Sequence, residues 1–172
     1  MSELFELVDR EGNPVGQATR EECHGNPLLI HLVVHLHVLD STGRLLLQKR
    51  ARDKDTNPGL WDTSVGGHVR TGEEVRTALL REASEELGID ASSAKPLYGF
   101  LYGNSFETEF AWSFSIIFGG PFVPDAGEIE DVRFFSFREI DGMISTGALT
   151  PMLEHELPML RKGLQGSRHE KG

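Results

Sequence analysis

The sequence has little that would stabilise the chain covalently or place it in a membrane. It contains a single cysteine, Cys23, so no disulfide can form within the chain. No apolar run approaches the roughly 20 residues that a membrane-spanning helix needs. The first residues also lack the basic start and the apolar stretch of a signal peptide. We therefore expect a cytoplasmic protein that has no membrane partner.

Basic residues are scarce as well. The chain has 17 lysines and arginines against 27 aspartates and glutamates, which gives a formal net charge of -10 at pH 7. An acidic protein has no general field that attracts nucleic acid, so no nucleic-acid partner is expected. The same field repels phosphate groups, so a phosphorylated small-molecule substrate would need a local source of positive charge. A bound divalent metal ion is the obvious candidate.

The length and composition are those of an ordinary globular domain. The chain has 172 residues, of which 38% are hydrophobic and 26% are charged, and this is enough to bury a core. It shows no repeat, no low-complexity segment and no internal linker. We predict one domain over residues 1–165, followed by a flexible polar tail at 166–172.

The pattern of apolar residues and turn signals predicts a mostly β chain with one long central helix. Strands are expected at residues 5–8, 29–39, 44–50, 60–65, 97–102, 109–118 and 131–137, and helices at 71–87, 137–144 and 151–162. For the central helix, Thr71 is the predicted N-cap, Glu74 completes a capping box, and Gly88 is the predicted stop. This order favours an α/β (α+β) fold in which helices pack on a mixed sheet.

The most informative stretch is the acidic end of the central helix. Glu82, Glu85 and Glu86 have the i, i+3, i+4 spacing that places three carboxylates on one helical face. Such a pattern alone is more often a solvated acidic face. Here a Gly-Gly turn leads into the helix, and Arg81 can fix a carboxylate through two hydrogen bonds. Carboxylates that converge on a cleft repel one another, and hard cations such as Mg²⁺ and Mn²⁺ offset that cost.

The same stretch resembles the Nudix hydrolase superfamily. The Nudix box, G-x5-E-x7-R-E-U-x-E-E-x-G-U with U an aliphatic residue, is matched by Gly67, Glu73, Arg81, Glu82, Ala83, Glu85, Glu86, Gly88 and Ile89. The resemblance implies a Nudix-type α/β/α sandwich with a mixed central sheet. It also implies that Glu82, Glu85 and Glu86 bind divalent metal, with the Gly67 carbonyl as a further ligand, and that Arg81 orients a glutamate. These residues would carry catalysis, in which a carboxylate takes the proton of an attacking water.

A second set of residues resembles type I isopentenyl-diphosphate isomerase, itself a Nudix-fold enzyme. The metal site of that family is matched by His24, His31, His68, Glu107 and Glu109. Imidazoles combined with carboxylates suit Mn²⁺ or Zn²⁺. Arg50 and Lys54 match residues that hold the diphosphate there, and Glu86 matches a Mg²⁺-binding position. The resemblance therefore implies a second metal site and a diphosphate subsite.

Departures from the isomerase pattern favour hydrolysis. The isomerase needs a cysteine directly before the Gly-His pair, where this chain has Gly66, and it has an arginine at the position of Glu82. It also closes its pocket with a late tryptophan, but no tryptophan follows Trp112. We therefore interpret the chain as a metal-dependent pyrophosphohydrolase that cleaves a diphosphate linkage in a nucleoside diphosphate derivative or a similar small organic diphosphate. The alternatives are an isopentenyl-diphosphate isomerase and a non-catalytic binder of a nucleotide or diphosphate.

Several features stay open at this level. The residues do not fix the exact substrate, the number of metal ions or the occupancy of the histidine site. The general base is Glu82 or an acid from a later loop, where Glu128 and Glu130 are candidates. His35 and His37 share a strand face with His31, and the pattern assigns them no role. Related proteins are often dimers, so a homodimer is one expected state.

Overall fold

The computed structural model describes residues 3–169 of the chain, with side chains up to residue 166. Its strands are β1 (Leu4–Val8), β2 (Pro14–Thr19), β3 (Ile30–Leu39), β4 (Leu45–Arg50), β5 (Trp61–Asp62), β6 (Val65–His68), β7 (Lys95–Gly103), β8 (Thr108–Ile117) and β9 (Ile129–Phe135). Its helices are α1 (Arg20–Cys23), α2 (Val75–Leu87), α3 (Phe137–Met143) and α4 (Pro151–His169).

Strand β3 is the centre of the sheet, and nearly all of its residues are buried. It pairs in parallel with β8, from Ile30 opposite Thr108 to Leu39 opposite Ile117. It also pairs antiparallel with β1, β4 and β6. Strand β9 extends the sheet beyond β4, and β7 extends it beyond β8. The sheet is therefore mixed, as predicted.

Helices cover both faces of this sheet. On one face, Leu36 of β3 and Leu79 of α2 belong to the same buried apolar cluster. On the other face, Leu47 of β4 shares a buried cluster with Leu157 of α4. Each such side chain contributes roughly 1.5–3 kcal/mol through its removal from water. The predicted α/β/α sandwich is confirmed.

Helix α2 begins later than the sequence predicts. Its N-cap is Glu74, whose side chain makes no capping hydrogen bond, so the predicted box with Thr71 does not form. The cause is a turn before the helix, where Gly72 has a φ of 75° and the Glu73 carboxylate accepts a backbone hydrogen bond. The predicted stop is confirmed, since Gly88 ends the helix in the left-handed conformation at a φ of 65°.

Other element boundaries also differ from the prediction. The strand expected at 60–65 is divided into β5 and β6, and β6 continues through the two glycines to His68. The sequence pattern does not predict β2, because this strand is mostly exposed and lacks apolar alternation. Helix α4 continues to His169, so residues 166–169 of the predicted tail are helical, and 170–172 lie outside the described residues. Within the described range, no helix is long and apolar enough to cross a membrane.

Candidate active site

One cleft of about 500 Å³ brings together most of the residues that the sequence analysis selects. Its walls contain the carboxylate helix, the histidine cluster and the two expected diphosphate-binding residues, namely Gly67, Arg81, Glu82, Glu85, Glu86, His24, His68, Glu107, Glu109, Arg50 and Lys54. His31 lies behind this surface and is fully buried. The two family resemblances therefore point to the same place in the fold.

The Glu82 carboxylate lies directly against the backbone of β6. A Cβ atom on Gly67 would sit 2.0 Å from Cδ of Glu82, so only glycine leaves room for this approach. Burial raises the pKa of the Glu82 carboxyl, although the neighbouring Arg81 opposes this shift. The helix carboxylate and the strand backbone thus meet at the point where the Gly67 carbonyl is expected to act as a ligand.

Arg81 holds this arrangement together. Its Nε and Nη2 donate to the two oxygens of Glu73, at 2.9 Å each, and its Nη1 donates to Glu82 at 2.6 Å. Nη2 also donates to the carbonyl of His68 at 3.0 Å. The hydrogen bond with Glu73 raises the pKa of Arg81 further above its ordinary value, so the side chain remains a cation. Arg81 therefore orients Glu82 and connects the pre-helix turn, the helix and the strand.

Glu86 faces β4 and β6. Its Oε2 accepts from Nε2 of Gln48 at 2.8 Å and from the backbone N–H of Gly66 at 3.4 Å. Burial, together with the charge of Glu82, raises the pKa of Glu86 to about 8. Glu85 differs, because its side chain is 53% exposed. Buried carboxylates whose pKa values are raised in this way form a donor set that a divalent cation would stabilise.

The three predicted histidine ligands form a compact cluster. Their ring nitrogens lie within 4.8 Å of one another. Four of these buried nitrogens have no hydrogen-bond partner among the described residues, namely Nε2 of His24, Nε2 of His68 and both nitrogens of His31. Buried polar atoms without partners are rare and costly. A metal ion would satisfy them, so this donor set fits the group that the resemblance implies.

Glu107 and Glu109 complete the histidine cluster. Oε2 of Glu107 lies 3.2 Å from Nε2 of His24, and Oε1 of Glu109 lies 3.4 Å from Nε2 of His31. Burial opposes a charge on His31, but its neighbours Cys23 and Glu109 outweigh this effect and raise the pKa of His31 to about 9. Burial lowers the pKa of His68 to about 3. A cation bound here would therefore replace a proton on His31.

The two expected diphosphate-binding residues lie in the cleft but already have partners. Nε and Nη2 of Arg50 donate to the carbonyl and the hydroxyl of Thr56, at 3.0 and 3.2 Å. Nη1 of Arg50 lies 3.5 Å from the Asp62 carboxylate. Lys54 forms an ion pair with Glu128. An incoming phosphate would have to compete with these acids for both cations.

The later loop offers one acid to the cleft. Glu128 lines the cleft. Glu130 does not, and it pairs instead with Lys49 at 3.3 Å and Arg52 at 3.1 Å. Two cations therefore hold the Glu130 carboxylate outside the cleft wall, and its role as a general base stays a prediction.

The thiol of the isomerase pattern has no counterpart in the cleft. Cys23 is fully buried and packs with Phe5 and Ala18. Gly66 forms part of the cleft wall, and a Cβ atom there would meet nothing closer than Thr63, at 3.5 Å. The backbone has space for a side chain at this position, but the sequence does not provide one.

Sequence reasoning missed a second buried network. Glu156 of α4 is fully buried and accepts from Nδ1 of His35 at 2.7 Å and from Nε2 of His37 at 2.8 Å. The hydroxyls of Tyr98 and Ser113 donate to the same carboxylate, at 3.0 and 2.5 Å. The alternation of histidines with apolar residues in β3 is a signal of this buried face. Their common partner, however, is separated from His35 by 121 positions, beyond the reach of any local pattern.

Known proteins match this chain in both sequence and structure. The NUDIX domain family matches residues 29–158. Isopentenyl-diphosphate Delta-isomerase 2 from Photorhabdus laumondii is 33% identical over 150 residues, which cover 84% of this chain and 84% of the relative. An isopentenyl-diphosphate Delta-isomerase from Streptomyces avermitilis is 34% identical over 143 residues, which cover 80% and 73%.

Solved structures share the fold. DR0079 from Deinococcus radiodurans has a TM-score of 0.79 and 24% identity, over 92% of this chain and 98% of that one. A MutT protein from Methanosarcina mazei Go1 has a TM-score of 0.68 and 21% identity, over 83% and 96%. At these identities the likeness shows the fold alone. With the family match and the sequence relatives, the chain belongs to the Nudix family, in the group that resembles type I isopentenyl-diphosphate isomerases.

Proposed function

We propose that this protein is a metal-dependent hydrolase that cleaves a diphosphate linkage in a small organic diphosphate, such as a nucleoside diphosphate derivative. The observation that carries the proposal is that Glu82, Glu85 and Glu86 of the Nudix box line one cleft, with Glu82 held by Arg81 against the backbone of Gly67. Family membership supports an enzyme of this superfamily.

Different residues around the cleft have different roles in the proposed hydrolysis. When bound at the carboxylates, Mg²⁺ or Mn²⁺ would neutralise the diphosphate and acidify a water molecule. Arg81 and Gln48 fix the orientations of Glu82 and Glu86. Glu82 or Glu128 takes the proton from the attacking water, because both carboxylates line the cleft.

The histidine cluster is proposed to hold a second metal ion, Zn²⁺ or Mn²⁺. Support comes from its four buried nitrogens that make no hydrogen bond within the described residues and from the two carboxylates beside them. Mixed imidazole and carboxylate donors suit these two ions better than Mg²⁺. An ion at this place would add positive charge to the wall of an otherwise acidic cleft.

The sequence relatives favour a second candidate, an isomerase. The two relatives described above are isopentenyl-diphosphate isomerases, and the five ligands of that pattern are all present in the cluster. Isomerisation moves a proton at carbon, and the pattern assigns one proton-transfer step to a thiol at the position of Gly66. Hydrolysis needs no thiol, and the cleft has none. We therefore place the hydrolase first.

One assay distinguishes the hydrolase from the isomerase and from a non-catalytic binder. The protein would be incubated with Mg²⁺ or Mn²⁺ and with nucleoside diphosphates, nucleoside diphosphate-sugars, ADP-ribose, NADH or isopentenyl diphosphate, while released phosphate and nucleotide are measured. We expect metal-dependent release from at least one compound. Conversion of isopentenyl diphosphate into its isomer, with no release from any compound, would replace the hydrolase by the isomerase. Binding without any turnover would point to a non-catalytic binder.

Glu86→Gln tests the carboxylate set directly. The amide keeps the size of the side chain but removes the charge that a cation needs, so we expect kcat to fall at least about 100-fold. Glu11→Gln makes the same chemical change at an exposed position that does not line the cleft, and it should leave kcat unchanged. Full turnover by Glu86→Gln in the presence of Mg²⁺ would exclude these carboxylates as the catalytic metal site.

A further inference from the structure

His35 is a cleft residue for which neither family pattern accounts. It lies on β3 opposite Gly66 of β6 and lines the cleft. Nδ1 of its ring is held by Glu156 at 2.7 Å, which fixes the orientation of the imidazole. The other nitrogen, Nε2, lies 3.8 Å from the place that a Cβ atom on Gly66 would occupy. His35 is 6% exposed and belongs to the cleft wall, and Nε2 is the ring nitrogen that Glu156 does not hold.

The network behind His35 is a rigid support rather than a metal site. His35, His37 and Glu156 place ligand atoms within 4.8 Å of one another, as a metal site would. Each of these ligand atoms, however, is already hydrogen-bonded, and Nδ1 of His37 contacts the hydroxyl of Thr63 at 3.1 Å. This contrasts with the His24 cluster, where four buried ring nitrogens make no hydrogen bond within the described residues. A fully satisfied buried network fixes its members in one geometry.

Charged groups around His35 favour its protonated form. Burial opposes the charge, but the charge and the hydrogen bond of Glu156 outweigh it, with help from Asp62 and Glu109, and they raise the pKa of His35 to about 9. The other titratable groups of this network, His37 and Tyr98, face the same carboxylate. At neutral pH, His35 therefore presents an N–H donor and a positive charge to the cleft.

A diphosphate would meet this donor where positive charge is scarce. The cleft wall carries more carboxylates than cations, and four of its cations are each paired with an acid, namely Arg50, Lys54, Arg70 and Arg81. His35 is also paired with an acid, but Glu156 binds Nδ1, and Nε2 and Cδ2 are the ring atoms that lie near Gly66. Charge-assisted hydrogen bonds to phosphate oxygens are among the stronger ones in proteins.

We propose that His35 is a substrate-binding residue whose Nε2–H donates to a phosphoryl oxygen of the bound diphosphate, and that Glu156 is the residue that positions its ring. The inference rests on the proposed function, since it takes the substrate to be a diphosphate. Gly66 belongs to the same arrangement, because a side chain there would place its Cβ atom 3.8 Å from Nε2. A fixed donor of this kind stabilises charge that develops on phosphate oxygens during cleavage.

The first test is binding of imidodiphosphate, a diphosphate analogue that resists hydrolysis, measured by calorimetry in the presence of MgCl2. His35→Gln is expected to weaken binding at least about tenfold at neutral pH. His155→Gln is the matched control, since His155 is an exposed histidine next to Glu156 on α4, with its ring against Phe100 and Tyr102. It should bind like the wild type. Equal affinity for His35→Gln and the wild type overturns the proposal.

The pH dependence distinguishes positioning by Glu156 from a merely structural role. Wild-type affinity should fall as pH rises through about 9, where His35 loses its proton. In Glu156→Gln the carboxylate that favours this proton is gone, so the fall should occur at lower pH. A structural role would instead weaken binding equally at every pH, and that result would overturn the assignment of Glu156.

A measurement on the wild-type protein tests the proposal even if the variants fail to fold. The ¹⁵N signal of His35 Nε2 should shift when imidodiphosphate is added, and an unshifted signal at saturation overturns the proposal. The same experiments separate this inference from the proposed function. If the analogue binds through His35 but the protein hydrolyses none of the compounds, the proposed hydrolase function is wrong and this inference stands. Hydrolysis that continues undiminished in His35→Gln defeats this inference alone.

Discussion

Two adjacent glycines of β6 serve the cleft in different ways. Gly67 leaves space for the Glu82 carboxylate, since a Cβ atom there would lie 2.0 Å from Cδ. A Cβ atom on Gly66 would make only ordinary contacts, and the role of this glycine in our proposals is the absence of a side chain beside His35. Neither glycine has a positive φ. The requirement for glycine at residue 67 is therefore one of space and not of backbone conformation.

Gly67→Ala is expected to lower kcat/KM at least about 100-fold, because a displacement of about 1 Å at a catalytic group has effects of this size. The new methyl group must push the Glu82 carboxylate out of its place. The thermal stability should fall as well, because Cγ of Glu82, 2.3 Å from the new Cβ atom, must move together with the carboxylate. Thermal unfolding and steady-state kinetics would be measured together.

Gly66→Ala is the stability control for this experiment. Its Cβ atom would make only ordinary contacts, the nearest at 3.5 Å, so its unfolding temperature should match that of the wild type. Full hydrolytic activity of Gly67→Ala would show that the close approach of Glu82 to β6 has no part in catalysis.

One side chain, that of Arg81, holds helix α2 in position. Arg81 bonds to Glu73 in the preceding turn, to the His68 carbonyl of β6 and to Glu82 within the helix. The planar guanidinium can make these contacts at once because its N–H groups form a fixed fork. The helix therefore presents its carboxylates to the cleft in one orientation relative to the sheet.

Arg81→Lys should uncouple these three contacts while keeping the charge. We expect kcat to fall at least about tenfold, since one ammonium cannot replace a bidentate guanidinium. Arg76→Lys is the matched control on the same helix, because Arg76 donates to backbone carbonyls of Ser92 and Ala94 and does not line the cleft. If both variants lost activity equally, a general effect on the helix would explain the loss, and the specific role of Arg81 would be wrong.

The sequence predicts this helix and its end better than its beginning. Gly88 stops the helix because a left-handed residue is needed there, and glycine is a local signal for it. The beginning depends on Glu73, which has the form of an ordinary first-turn acid but is engaged with Arg81 eight positions away. Local capping rules consider only the neighbouring backbone, so they predict a start at Thr71.

Among the candidate site residues, those with a local sequence pattern are predictable, and those whose partners are distant in the sequence are not. The carboxylates of α2 are predictable because helical periodicity places them on one face and the Nudix spacing is contiguous. The histidine ligands come from separate elements, and only the family resemblance connects them in advance. Glu156 was not predicted, because a single acid on an amphipathic helix ordinarily faces solvent, and here two histidines from β3 require it inside.

At the scale of the whole molecule, the acidic chain concentrates buried ionisable groups around one cleft. His31 and His35 carry raised pKa values, as does Glu86, while burial lowers that of His68. Each group whose pKa differs between the folded and the unfolded state makes the free energy of unfolding depend on pH. The groups that prepare the cleft for cations and phosphate therefore also control how stable the metal-free protein is.

The contribution of His35 to stability has a defined sign and pH range. In the unfolded chain its pKa is near 6.5, and in the folded protein it is about 9. Below pH 6.5 both states are protonated, and the ion pair with Glu156 stabilises the folded state fully. As pH rises toward 9 the unfolded state loses its proton first, so the free energy of unfolding falls. This difference corresponds to on the order of 3 kcal/mol.

Urea unfolding in EDTA at about pH 6 and about pH 10 would measure this contribution by the difference between two proteins. His31 and Glu86 also have raised pKa values, but they affect the wild type and His35→Gln alike, so their effect cancels in the comparison. We expect the wild type to lose more stability than His35→Gln across this range. Equal losses would mean that the buried network holds His35 neutral, and that Nε2 brings no positive charge to the cleft.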